Sequence, residues 1–226
     1  MKKVIITGSS SGLGLSLAKK FLDEGYFVIG LSNSEGIIVN LSYVHRKINL
    51  ALPAEVNNFI SFIKQEHDNF DLIINNAGML YTADISNYDI ENLIESFSIN
   101  VFSHMKITGD LFPLIEKNGA DIINITSSSL EGTYPSFLAY SASKAALRQF
   151  TKELNSSLKD TNSRVTEFCP AGFQSNIWKK MKGLSLERDE NKRMNVDDVA
   201  NIILFISKLT KDIEIPFIKI NNKKDR

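Results

Sequence analysis

The feature that most constrains the fold is an alternation of two kinds of segment. Short runs rich in Val and Ile at 3–7, 26–32, 44–48, 71–75, 121–126, 164–168 and 214–220 are separated by longer stretches with apolar residues three and four apart, at 13–24, 53–66, 89–117, 140–159 and 196–208. Runs such as 3–7, 26–32 and 71–75 are apolar at consecutive positions rather than at every second residue, so those strands have to be covered on both faces. A parallel sheet flanked by helices satisfies that requirement. The expectation is a single α/β domain over 1–226, a doubly wound parallel sheet of about seven strands with helices on both faces; 226 residues suffice for its core.

Charge and cysteine content narrow the function. Lys plus Arg and Asp plus Glu both number 26, so no net field favours nucleic acid or an anionic membrane, and neither is expected as a partner. One cysteine, Cys169, and three histidines cannot assemble a Cys/His zinc site; no metal is expected, and a reducing cytoplasm is. The apolar run after Lys2-Lys3 is broken at Thr7-Gly8, so no export signal is expected, and the strongest apolar stretch, 202–206, is too short to span a bilayer. The sequon Asn124-Ile125-Thr126 falls in a run read as a buried strand and is taken as chance.

Two motifs carry chemistry. The first strand runs into Thr7-Gly8-Ser9-Ser10-Ser11-Gly12-Leu13-Gly14 and then a helix, which turns backbone amides towards a phosphate at a positive helix end. It lacks the spacing and the lysine of an NTPase phosphate loop, which argues against ATP chemistry. Tyr140-Ser141-Ala142-Ser143-Lys144 opens a helical segment, so phenol and ammonium share a face and the cation can lower the phenol's pKa. Tyr43-Val44-His45-Arg46-Lys47 has the same spacing in an extended run, where the two ends would not meet. Ser127, thirteen residues before Tyr140, follows a strand at the carboxyl edge of the sheet, where open α/β folds bind ligands.

With Asn75-Asn76-Ala77-Gly78, Ile99-Asn100-Val101 and Asn124-Ile125-Thr126-Ser127 added to these motifs, the sequence resembles the short-chain dehydrogenase/reductase family over roughly residues 3–206. The resemblance implies a Rossmann-like fold and hydride transfer between NAD(P) and a carbonyl or secondary alcohol of a small or medium-sized substrate. It assigns the catalytic tetrad to Asn100, Ser127, Tyr140 and Lys144. Tyr140 would be the proton donor or acceptor, Ser127 the partner of the substrate oxygen, Lys144 the group that binds the nicotinamide ribose, and Asn100 the holder of a relay water.

Cofactor contacts are carried over to Gly8, Ser10, Ser11, Gly12, Leu13 and Gly14 in the turn. Further contacts are implied at Ser32 and Asn33 after the second strand, at Asn49 and Leu50 near adenine, at Asn76, Ala77 and Gly78, and at Pro170, Gly172, Phe173 and Ser175. In the last segment Ala171 and Ser175 replace the family's usual glycine and threonine. No carboxylate stands at Ser32-Asn33-Ser34 to repel a 2′-phosphate, which slightly favours NADP(H) over NAD(H), although no basic residue stands there or at Ser10-Ser11.

By composition alone the charged stretch at 179–195 reads as a solvated connection between two helices, whereas the resemblance implies a substrate-side flap at 177–195, mobile over 179–195, with Trp178, Lys179, Lys180 and Lys182 at the entrance. A homo-oligomer is implied, a dimer rather than a tetramer, because Asn221–Arg226 lacks the family's Gly-Gly tail. A silent nucleotide-binding scaffold is the competing reading, and the intact tetrad argues against it. A nucleotide-sugar epimerase would need a larger carboxyl-terminal domain.

Overall fold

The computed structural model describes residues 1–178, 181–183 and 193–223. Its first half contains β1 (Lys3–Thr7), α1 (Gly12–Asp23), β2 (Phe27–Ser32), β3 (Tyr43–Lys47), α2 (Pro53–Glu66), β4 (Leu72–Asn75) and β5 (Tyr81–Thr82). Then come α3 (Ile90–Phe97), a π-helical turn (Ser98–Phe102), α4 (Ser103–Asp110), α5 (Phe112–Asn118), β6 (Asp121–Ile125) and a 3-10 turn (Ser128–Glu131). The rest is α6 (Leu138–Ser157), β7 (Val165–Pro170), β8 (Lys182–Gly183), α7 (Val196–Ser207) and β9 (Phe217–Ile220).

Seven strands form one sheet in the order β3-β2-β1-β4-β6-β7-β9, and every pairing in it is parallel. Chain order reverses between β1 and β4, which opens a crevice at their carboxyl ends. Ile5, Ile29, Ile73 and Ile122 face α2, α4, α5 and α6, while Val4, Val28, Ile74 and Ile123 face α1 and α7. Both sides of the central sheet are therefore core, as the consecutive apolar residues of β1, β2 and β4 require. Phe21 and Phe59, both essentially fully buried, mark the two faces; truncating either to Ala costs about 3–5 kcal/mol.

Three elements differ from expectation. The helix read at 89–117 is interrupted twice, by the π-helical turn around Asn100 and by a break at Leu111. Pro113 explains the second interruption, because its ring would clash with the carbonyl four residues back and it fits instead in the first turn of a new helix. The run at 214–220 pairs as strand only from Phe217, although the Pro216 carbonyl already accepts from Glu167 N at 2.9 Å; β9 lies at the sheet edge, where a proline is tolerated.

The third difference is a small parallel pair outside the main sheet, β5 with β8. It ties Lys182-Gly183 to Tyr81-Thr82, and Met194 bridges Phe173. Positions 179–180 and 184–192 of the expected mobile flap lie outside the described residues. Asn124, the sequon residue, is fully buried. Among the described residues no helix is long and apolar enough to cross a membrane.

Candidate active site

A cleft of about 1000 Å³ runs along the carboxyl edge of the sheet and gathers residues from distant parts of the chain. Every residue assigned to the site from sequence lines it except Gly12, Gly14 and Asn100.

The two glycines act from behind the wall. A Cβ on Gly14 would come within 2.2 Å of the Gly8 carbonyl oxygen, so the helix can start this close to the strand only with glycine there. Gly12 has φ +53°, and its missing Cβ would lie 3.2 Å from Ser175 Oγ. The turn and the 170–175 segment, far apart in sequence, thus meet at Gly12 and Ser175. The Gly8–Gly14 turn therefore leaves an open backbone cradle at the amino end of α1, of the kind a diphosphate occupies, and the residues present fit a nicotinamide dinucleotide.

Asn75-Asn76-Ala77-Gly78 closes the opposite wall. Thr7 Oγ1 accepts from Asn76 N at 2.9 Å and from Ala77 N at 2.8 Å, and Asn76 Nδ2 donates to the Thr7 carbonyl at 2.8 Å. The ends of β1 and β4 are locked together where the crevice opens. Next to them sits His104, fully buried, with Nε2 3.3 Å from Thr7 Oγ1. Burial, reinforced by the nearby Lys144 ammonium, pushes this imidazole down to about 3, so it is neutral at physiological pH.

Asn100 lies in the π-helical turn, fully buried. Its Oδ1 accepts from Met79 N at 2.7 Å, while Nδ2 reaches the Met79 carbonyl at 3.0 Å and Ser143 Oγ at 2.9 Å. Ser143 in turn donates to the Tyr140 carbonyl at 2.7 Å, so Asn100 is tied to the first turn of α6. A Cβ on Gly78 would be 3.4 Å from Asn100 Oδ1 and 3.6 Å from Lys144 Nζ, which places both polar atoms against that glycine.

Tyr140 and Lys144 both line the cleft from α6, with Lys144 Nζ 5.9 Å from the Tyr140 ring centroid. Lys144 is 3% exposed and donates to the Ile125 carbonyl at 2.8 Å; burial lowers its pKa to about 8. Ser127 ends the β6 segment and accepts from Ser129 N at 3.1 Å, capping the 3-10 turn and fixing its own rotamer. The look-alike Tyr43–Lys47 spacing is extended, with Tyr43 bonded to Ser9 and Lys47 to Glu35.

At the adenosine end Ser32, Asn33, Asn49 and Leu50 line the cleft. The Asn49 Oδ1 expected to meet adenine already accepts from Ala51 N at 3.0 Å, which leaves one lone pair. At the substrate end the cleft is lined by Phe137, Trp178, Lys182 and Lys219 among others; Lys179 and Lys180 lie outside the described residues.

The sequence reading missed Arg148, one turn beyond Lys144 on the same helix face. It bridges Glu167 at 2.7 Å and Glu131 at 2.8 Å and holds the Glu131 carboxyl below its usual range, while Thr126 donates to Glu167 at 2.7 Å. This network braces the turn that follows Ser127. Its signal was the four-residue spacing Tyr140, Lys144, Arg148. Nothing local pointed to His104.

Comparison with known proteins agrees with this geometry. Residues 2–183 match the family described as short chain dehydrogenase. The serine 3-dehydrogenase of Agrobacterium fabrum is 26% identical, over 96% of this chain and 92% of that protein. The NADP-dependent 3-hydroxy acid dehydrogenase of Schizosaccharomyces pombe is 28% identical over 90% of this chain and 86% of its own. Among solved structures, the closed form of serine dehydrogenase complexed with NADP+ superposes with a TM-score of 0.82 at 21% identity, covering 96% of this chain and 94% of that one.

Proposed function

The chain belongs to the short-chain dehydrogenase family and is an NAD(P)-dependent oxidoreductase, and we propose that Tyr140, Ser127, Lys144 and Asn100 carry its chemistry with NADP(H) slightly preferred. The observation that supports these roles is that Ser127, Tyr140 and Lys144 line one cleft together with Gly8, Asn76 and Ser175. A bound nicotinamide dinucleotide supplies or accepts the hydride. Gly8 to Gly14 would hold its diphosphate, Ala77 and Gly78 would flank it, and Lys144 would hold the nicotinamide ribose.

Tyr140 donates a proton to the substrate oxygen in reduction and takes one in oxidation. Ser127 hydrogen-bonds the same oxygen and orients the reacting carbon. Lys144, buried and cationic below about pH 8, favours the phenolate form of Tyr140. Asn100 sets the position of α6 through Ser143 and, with its Oδ1 against Gly78 beside Lys144, stands where a relay water would be held.

The substrate is a small or medium-sized carbonyl or secondary alcohol; the two named relatives make short 3-hydroxy acids the first compounds to try. NADP(H) is favoured because Ser32, Asn33 and Ser34 present hydroxyls and an amide but no carboxylate. A homodimer in the cytoplasm is the assembly proposed: Phe102 and Met105, on the segment that carries the buried Asn100, leave 56% and 41% of their own surface exposed for a partner copy to cover. The test is a substrate panel with purified protein read by absorbance of the reduced nicotinamide. Turnover that survives in Tyr140→Phe would overturn the assigned roles.

A further inference from the structure

We infer that His45 reads the 2′-phosphate of the cofactor through Ser32 and makes the preference for NADP(H) over NAD(H) depend on pH. The inference rests on the proposed placement of the adenosine ribose at the Ser32–Ser34 turn. That turn lines the cleft and carries no charged side chain. A dianionic phosphate there has no cation in the turn to meet, and the nearest imidazole stands directly behind it.

His45, on β3, has Nε2 2.8 Å from Ser32 Oγ, and the same hydroxyl donates to the Ser34 carbonyl at 2.9 Å. With the serine proton given to Ser34, the imidazole contact is Nε2–H donating to Ser32 Oγ. A phosphate oxygen entering the turn competes with the Ser34 carbonyl for the serine proton. The Ser32 hydroxyl then links a cationic imidazole to an anion, a charge-assisted arrangement.

The imidazole is held for this task. Its ring stacks on Tyr43 with centroids 6.2 Å apart, and Gly36 folds against it so closely that a Cβ would lie 2.6 Å from the ring. Tyr43 OH is 3.2 Å from Ser9 Oγ in the glycine turn, a contact possible because Gly30 lacks a Cβ, which would sit 2.5 Å from that phenol oxygen. One short strand therefore carries both the phosphate turn and the ribose turn.

The charged and titratable groups around His45 are few. Glu35, from the loop after β2, acts on the imidazole but is paired with Lys47 at 2.9 Å; Arg46 lies over the Phe62 ring; burial keeps the Tyr43 phenol protonated. Partial burial lowers the His45 pKa, so the free protein holds it neutral near pH 7. Binding a 2′-phosphate favours the imidazolium, so NADP(H) binding takes up a proton and tightens as pH falls, while NAD(H) has no group to couple.

Fluorescence titration of NADPH and NADH from about pH 8.5 to about pH 6 tests this. The NADH-to-NADPH ratio of Kd should rise at least threefold over that range in the wild type, against the opposing effect of phosphate protonation. His45→Gln should flatten or reverse the slope, and His45→Arg should retain NADPH preference with only the phosphate's own pH dependence. Thermal melting confirms that each variant folds, and either one suffices. A wild-type ratio independent of pH, or the same slope in all three proteins, overturns the inference while leaving the cofactor site standing. Failure of both dinucleotides to bind overturns the cofactor reading itself, and the inference with it.

Discussion

Lys144 Nζ donates to the Ile125 carbonyl at 2.8 Å, and this hydrogen bond fixes a buried ammonium beside the tyrosine of its own helix. The site keeps a costly charge there. An unfolded lysine titrates near ~10.4, whereas burial brings Lys144 to about 8. Between those values the unfolded chain binds more protons, so stability rises as pH climbs through that window, and at pH 7 the buried ammonium costs on the order of 3 kcal/mol. Lys144→Met should therefore melt no lower than wild type at neutral pH, yet lose cofactor affinity and rate, and its pH–rate profile should move upward as the Tyr140 phenol loses its cation. An unchanged profile would remove Lys144 from its proposed role.

Tyr140→Phe deletes one oxygen at the cleft wall and leaves the ring that Phe137 packs against edge-on, with centroids 5.9 Å apart. The rate should fall by about 10²–10⁴-fold, the usual contribution of a positioned acid or base, with dinucleotide Kd within a few-fold of wild type. Pre-steady-state hydride transfer and fluorescence titration separate the two effects. Equal loss of binding and rate would mean that the oxygen holds the cofactor instead.

Two glycines of the site make opposite predictions. Gly14→Ala puts a methyl 2.2 Å from the Gly8 carbonyl oxygen, a contact no rotamer relieves because the obstacle is backbone. Dinucleotide affinity should drop at least tenfold, with a fall in melting temperature. Gly172→Ala meets nothing within 4 Å, so affinity and melting temperature should both stay near wild type. Loss of binding in the second variant would show that the 170–175 segment closes on the cofactor more tightly than in the described conformation.

The central strands and both sheet faces were legible in the sequence because burial on two sides leaves consecutive apolar residues in β1, β2 and β4, a signal local to each of them. The cleft residues were legible because glycine turns and the Tyr140–Lys144 spacing are also local. What escaped was set by contacts far apart in the chain. The break at Asn100 depends on Met79 and Ser143, and the meeting of Gly12 with Ser175 depends on the return from β7. The β5–β8 pair joins residues about a hundred positions apart with two residues on each side, too few to leave a periodic trace.

His104 gives the last prediction. The ring sits between Thr7 and the Asn100 turn, and burial holds it near 3 against ~6.5 for a free imidazole, with only partial opposition from the Asn100 backbone. The unfolded chain therefore binds an extra proton between those values. Stability conferred by the neutral ring is complete above about pH 6.5 and is lost as pH falls towards 3, by up to a few kcal/mol. His104→Gln cannot titrate and retains an amide for the Thr7 hydroxyl, so its stability should decline less steeply over that acidic range. Urea unfolding at stepped pH measures both slopes; parallel curves would mean that His104 is not what makes the fold acid-sensitive. His104→Leu would leave the Thr7 hydroxyl without its imidazole partner and should raise dinucleotide Kd several-fold at neutral pH, where charge on the ring plays no part.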